Sequence, residues 1–199
     1  MDPLTLLLAD SRFPSGSYAH SLGLEQAVND GLRDVPAFIR ARQRLVAEAD
    51  ARFAVEASRG NVFEEEWYAR TPSPALRDAA RRTGSQLLRA ASAIWAVPVK
   101  KTPRPLALGI VAGAAGISDE DAALLALYDD AATVASAALK LLPLDPAVTA
   151  RWLADLAPEM ARAAARIAAD DGPLPAPAAV AIELNAPIHL EQRERLFAS

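Results

Sequence analysis

Apolar and polar positions recur along this chain with a helical period almost throughout. Between Asp34 and Phe53 the apolar residues Phe38, Ile39, Leu45, Val46, Ala49 and Phe53 are spaced by threes, fours and sevens. Asp34 stands as a cap, Pro36 in the first turn, and Arg and Glu on the opposite face, a pattern that predicts a long amphipathic surface helix. Ser73-Pro74 opens a second helix, which keeps Leu76, Ala80, Thr83, Leu87, Ala91 and Ile94 on one side and closes at Val97-Pro98. Gly84 falls inside it. Glycine there costs about 1 kcal/mol relative to alanine, so a close approach by another backbone is expected. Ser118, with Asp121 three residues on, forms a capping-box pattern that opens the most apolar helix, which runs to Leu142 before Pro143. Apolar nearly all round, it is expected at the centre of the molecule.

Shorter elements fill the remainder. Residues 3–9 predict a short apolar helix, and 17–30 another, with Ser17 as its N-cap and Gly31 as its stop. Residues 61–70 predict an acidic helix carrying Trp67 and Tyr68, and 106–115 a small-residue helix ending at Gly116. Asp145-Pro146 starts a helix that Pro158 kinks or restarts and Gly172 ends. The prolines of 172–177 make a stiff linker, 178–185 one more helical piece, and 187–199 a charged tail. The expected fold is all-α: a single-domain bundle of about eight to ten helices. Residues 1–172 form the bundle, and 173–199 add a Pro-rich linker, a short helix and a C-terminal partner-binding tail to the same domain.

Composition narrows the functional classes. Of 199 residues, 52% are apolar and only 6% aromatic, which favours helices over sheets. Net charge is −4 with both signs interspersed, which argues against a nucleic-acid partner. The absence of cysteine removes disulfides, thiolate nucleophiles and thiolate metal sites, and makes reducing cytoplasm the expected location. Asp2 stands where a secretory signal would be basic, and the apolar run through Ala9 is too short to cross a bilayer. Later apolar stretches are interrupted by residues 118–121 and by Asp129-Asp130, so no membrane span is expected either.

Catalytic and metal-binding patterns are scarce. His20 and His189 are far apart in sequence, and the sulfur ligands are limited to Met1 and Met160, so neither a metal site nor a cofactor is expected. There is no phosphate loop or dinucleotide fingerprint; Gly109, Gly113 and Gly116 are spaced for helix packing. A Ser-His-Asp set could be composed from Ser15, Ser17, His20 and Asp10, although serines in a turn more often cap a helix. Adjacent carboxylates such as Glu64-Glu65-Glu66 and Asp170-Asp171 point about 100° apart on a helix and read as solvated faces. Asp129-Asp130 is different, because it interrupts the most apolar helix and must find water, a partner or a cap. Glu25 falls on a stripe with Tyr18, Ser21 and Leu22. It reads either as an internal acid accepting bonds from a hydroxyl, an amide or an arginine such as Arg12, or as a group at a subunit interface.

The run Phe13-Pro14-Ser15-Gly16-Ser17-Tyr18-Ala19-His20-Ser21-Leu22-Gly23-Leu24-Glu25 resembles the signature near the start of the urease accessory protein F family. Arg82-Thr83-Gly84-Ser85-Gln86-Leu87 resembles that family's Arg-x-Gly-x-Gln-Leu helix, and Lys140-Leu141-Leu142-Pro143-Leu144 its basic-Leu-x-Pro-Leu segment. His189, Gln192 and Arg195-Leu196-Phe197 are similar to its His-x-x-Gln-x-x-Arg-Leu-Phe tail. The chain departs from the family at Asp145-Pro146, where Gly-Gln is usual, and at Pro103-Arg104-Pro105, where histidines are common.

The resemblance implies an all-helical homodimer that is not an enzyme. It would act as an adaptor between the D-type accessory protein (H in some organisms) and the G-type GTPase in nickel insertion into apo-urease. Partner-binding residues carried over by position are Tyr18, His20, Glu25, Lys140, His189, Gln192, Arg195, Leu196 and Phe197. The tail after the linker is expected to order on the D-type partner, because Ile188, Leu196 and Phe197 are apolar anchors among charges at a chain end. The alternative is that it packs back on its own bundle. A competing class is a helical enzyme or small-molecule binder with a pocket near Tyr18, His20 and Glu25. Activity of the isolated chain would distinguish it from an adaptor.

Overall fold

The computed structural model describes residues 2–10, 12–14, 20–176 and 196–197. Among them the chain is helical, without strands. The elements are α1 (Pro3–Ala9), α2 (Leu24–Asn29), α3 (Val35–Arg42), α4 (Glu48–Ser58), α5 (Glu64–Ala69), α6 (Pro74–Ala91), α7 (Arg104–Ala114), α8 (Asp119–Leu141) and α9 (Pro146–Ala168). A π-helical turn, Gln43–Ala47, joins α3 to α4 without a break. Local chemistry sets most starts: Asp2, Asp34, Ser73, Ser118 and Asp145 each accept a bond from a first-turn amide of the helix that follows.

The apolar helix α8 is the centre, as its composition predicts. Leu125, Leu127, Ala131, Val134 and Ala138 are buried, and α9, α4, α1 and α2 pack around it. The helix α7 lies between α4 and α6, where two glycines permit the approach. A Cβ on Gly109 would collide with the Ala54 carbonyl, and one on Gly84 with the Thr102 carbonyl, the Pro103 carbonyl carbon and the Arg104 amide nitrogen. The close backbone approach expected at Gly84 is therefore the strand of chain entering α7. By length and composition α8 could cross a membrane, contrary to the expectation that no stretch would, but 56% of its apolar window is buried inside the bundle.

Several elements depart from the sequence reading. Residues 20–23 are not helical, so α2 begins at Leu24; Leu22 and Gly23 both adopt left-handed backbone (φ 53 and φ 88), which a helix running on from Ser17 cannot include. Ser17 itself lies outside the described residues. The surface helix predicted from Asp34 is instead a core helix: Arg52, Phe53, Ala54, Val55 and Glu56 are all buried. The π turn adds a residue and rotates the phase, which leaves Leu45 exposed although a uniform period places it inside. The helix α6 ends at Ala91, so Ile94 is exposed. Pro158 sits inside an uninterrupted α9 and restarts nothing. The expected helix at 178–185 lies outside the described residues. The start of the linker is fastened to the body: Arg52 donates to the Gly172 carbonyl, Arg70 donates to those of Leu174 and Pro175, and Leu174 packs beside Phe53 and Trp67.

Candidate partner-binding site

Glu25 stands in the first turn of α2 and is buried, because Leu24 and Ser21 beside it are drawn into the core. A buried carboxylate requires donors. Two come from the far end of the chain: the Leu196 amide donates at 2.6 Å and the Phe197 amide at 3.2 Å, one to each carboxylate oxygen. The Phe197 ring is 4% exposed and joins the main core, while Leu196 stays 70% exposed. Lys140, in the last turn of α8, sets its ammonium 5.0 Å from the centre of the Phe197 ring, close enough for a cation–π attraction. For Leu196 and Phe197 the structure contains the packed-back arrangement; the rest of the tail lies outside the described residues.

His20 is buried nearby. Burial first, then the positive fields of Arg82 and Arg104, hold its pKa down to about 4, so its imidazole is neutral at physiological pH. Arg104 is itself paired with Asp129 through a two-pronged contact of 2.8 and 2.7 Å. The departure at Pro103-Arg104-Pro105 thus has a structural role here, as the start of α7 and the partner of one α8 carboxylate. Asp145-Pro146 likewise caps and starts α9.

The other α8 carboxylate, Asp130, meets Arg42. The guanidinium donates to both carboxylate oxygens, the ion pair closes at 2.8 Å, and both side chains are buried. Arg42 also donates to the Leu22 carbonyl at 3.2 Å, and Gln43, from the π turn, donates to the Leu127 carbonyl and to Asp130. Burial pushes Asp130 up, and the Arg42 charge opposes that. Sequence reasoning flagged Asp130 but missed Arg42. The signal was present, since Arg42 follows Phe38 and Ile39 at spacings of four and three and so lies on the apolar face of α3.

Of the nine residues carried over by family position, the structure brings together Glu25, Lys140, Leu196 and Phe197, and places His20 beside Arg82 and Arg104. Tyr18, His189, Gln192 and Arg195 lie outside the described residues. The triad reading loses support: Asp10 is half-buried and bonded to Arg12, which holds its carboxyl at about 2, and a histidine with a pKa of about 4 is a weak general base. Arg12 is thereby bonded to Asp10 and is not the partner of Glu25 found here. Among the described residues no group of three or more His, Asp or Glu is assembled to hold a metal.

The family model for UreF matches residues 31–157 of this chain. The urease accessory protein UreF of Mycobacterium marinum is 37% identical over 213 aligned residues, covering 98% of each chain. That of Mycolicibacterium vanbaalenii is 34% identical over 210, covering 98% of this chain and 97% of the relative. The Mycobacterium tuberculosis protein of the same name is 35% identical over 181, covering 83% and 86%.

Proposed function

The chain belongs to the UreF family of urease accessory proteins, and on that footing we propose that it is the adaptor of a urease-maturation assembly. In this reading it is a non-catalytic cytoplasmic protein that works as a homodimer. It joins the D/H-type accessory protein to the G-type GTPase for delivery of nickel to apo-urease, and the metal is cargo of its partners.

The observation that carries the reading is the meeting of Glu25, Lys140 and Leu196-Phe197, drawn from three of the family-like segments, at one joint where buried Glu25 and Phe197 lie beneath exposed Leu196 and Lys140. Such a joint gives an adaptor a place where two partners can be read together. Leu196, exposed while its amide is held by Glu25, is an apolar anchor already set in position, which reduces the ordering cost of binding. Lys140, at the end of α8, is the cation a second partner would meet.

The test is reconstitution from purified components. Leu196→Asp should lose the D-type protein, and Lys140→Ala the GTPase, each by ~10-fold or more and with melting temperature within about 2 °C of wild type, as expected for exposed interface residues. If either variant melts early and binds in proportion to its folded fraction, its residue is structural and the assignment fails. A deletion from Pro187 onward would be less discriminating, because it also removes Phe197 from the core.

A further inference from the structure

Two ion pairs bridge the seam between α3–α4 and α9. Arg40, on α3, meets Glu159 on α9 at 3.7 Å, and Glu48, where α4 begins, meets Arg166 at 2.7 Å. Both residue numbers rise from the first pair to the second, so the two segments run side by side in the same direction, with the pairs as rungs about 10–12 Å apart. Midway along stand Arg44, four residues from both Arg40 and Glu48, and Arg162, three residues from Glu159 and four from Arg166. The middle rung is therefore arginine against arginine. Both are exposed, and neither has a carboxylate partner among the described residues.

The π turn makes this rung. Over eight residues a uniform α-helix would carry Glu48 about 80° round from Arg40. The wider turn at Gln43–Ala47 takes up that angle, so that Arg40, Arg44 and Glu48 share one column. It also leaves Leu45 42% exposed beside Arg44, with Ala41 exposed one turn earlier. Position distinguishes these two arginines from other exposed ones: Arg33 donates to the Val28 and Leu32 carbonyls, and Arg151 lies beyond the ladder, eight residues before Glu159.

We propose that the middle rung is a docking point for one acidic side chain of a protein partner, received between Arg44 and Arg162 with Leu45 beside it. Two guanidiniums at one level repel each other, and a carboxylate set between them replaces that repulsion with charge-assisted contacts on both sides. The neighbouring rungs limit the guest to a single charge. Glu48 and Glu159 lie about 5–6 Å from the rung along the helix axes, inside a Debye length of about 10 Å, so a phosphate chain continuing past it would meet like charge. A free inorganic anion would gain only two exposed, hydrated guanidiniums, whereas a protein side chain arrives with a surface that covers Leu45 as well. The inference rests on the adaptor reading for its choice of probes.

The experiment measures binding of the purified full chain to the D-type protein, the G-type GTPase and apo-urease, each alone, at low and high NaCl. Arg44→Glu/Arg162→Glu should weaken one of the three partners by ~10-fold or more and flatten its salt dependence, as expected for charges at an interface. Leu45→Ser should weaken the same partner. Lys100→Glu/Lys101→Glu, exposed in the loop before α7, makes the same net-charge change elsewhere and should bind as wild type. If the arginine reversal melts more than about 2 °C below wild type, Arg44→Gln/Arg162→Gln replaces it, with the same partner lost. Rescue identifies the guest: changing one exposed Asp or Glu of that partner to Arg should restore binding to the reversed pair. Unchanged affinity and salt slope for every partner, an equal loss from the lysine control, or no rescuing acid would overturn the proposal and leave the adaptor reading standing. A change in oligomeric state in place of partner loss, or wild-type retention on duplex DNA that the arginine variant lacks, would also overturn it. Failure of wild type to bind any of the three would sink the adaptor reading and this proposal with it.

Discussion

Replacing Arg42 by methionine tests whether the buried pair with Asp130 holds the core together. The methionine fills much of the space of the arginine stem, so the main loss is electrostatic: Asp130 keeps only the Gln43 amide at 3.4 Å, and the Leu22 carbonyl loses its donor. Breaking a buried pair by removing one member costs about 3–5 kcal/mol. For a domain of this size each kcal/mol moves the midpoint by about 2–4 °C, so a fall of about 6–20 °C is expected in thermal melts. The double variant Arg42→Met/Asp130→Leu should recover most of that, less about 1 kcal/mol for the stranded polar neighbours. The pH dependence has a definite sign. Burial already raises the Asp130 pKa, and loss of Arg42 raises it further, so the folded variant gains a proton more readily than its unfolded chain. Stability contributed by that proton is present at low pH and is lost as pH rises through the folded-state pKa. The deficit of Arg42→Met should therefore shrink toward pH 5. A single variant costing less than about 1 kcal/mol, or a double variant no more stable than the single, would refute the reasoning.

Three other outcomes are expected. Asp50, which accepts from the Trp67 indole at 2.9 Å, is pushed up to about 7 by burial, with Asp130 adding to the rise and the indole bond and Arg42 opposing it. Wild-type stability should fall as pH rises through 7, and Asp50→Asn should flatten that fall in melts between pH 5 and pH 8. Gly84→Ala gains about 1 kcal/mol of helix propensity but drives a methyl into the Thr102–Arg104 backbone, so net destabilisation of about 1–3 kcal/mol in urea is expected. Glu25→Gln removes the charged acceptor of the Leu196 and Phe197 amides and should cost about 1–3 kcal/mol, and Phe197→Ala about 3–5 kcal/mol if the ring is the core residue its burial indicates. A double-mutant cycle between the two should give a coupling of at least 0.5 kcal/mol; additivity would mean that the tail does not rest on Glu25.

The sequence made helices legible wherever one period ran unbroken between recognisable caps. Ser118 to Leu142 and Ser73 to Ala91 show this, since a side chain near the start of each helix closes its own amides and needs no distant information. It failed where a distant residue decided the local state. The left-handed backbone at Leu22 and Gly23 has the Arg42 guanidinium on the Leu22 carbonyl, and the π turn that resets the face of α3 and α4 has Gln43 reaching to α8. No reading at a single period contains either bond. The charged residues of α4 show the same limit. Arg52 and Glu56 resemble an exposed pair four apart, yet both are buried: Arg52 ties Glu56 to the Gly172 carbonyl, while Asn61 and Arg59 complete the carboxylate's shell.

Paired charges of this kind also tie separate segments of the chain together. Asp129 and Asp130 are neighbours on α8 and point apart, and each recruits an arginine from a different stretch: Arg104 from the entry to α7, and Arg42 from α3. Arg42 holds the turn before α2, and α2 presents Glu25, which takes the two tail amides. Arg104 stands beside His20 and next to the chain that Gly84 admits. Two adjacent carboxylates in an apolar helix are costly by themselves, but here they fix the separate pieces of the proposed partner-binding site relative to one another. Changes at Arg42 or Asp130 are for that reason expected to disturb partner binding from inside the core, with no contact to a partner, whereas the exposed Leu196 should affect binding without altering stability.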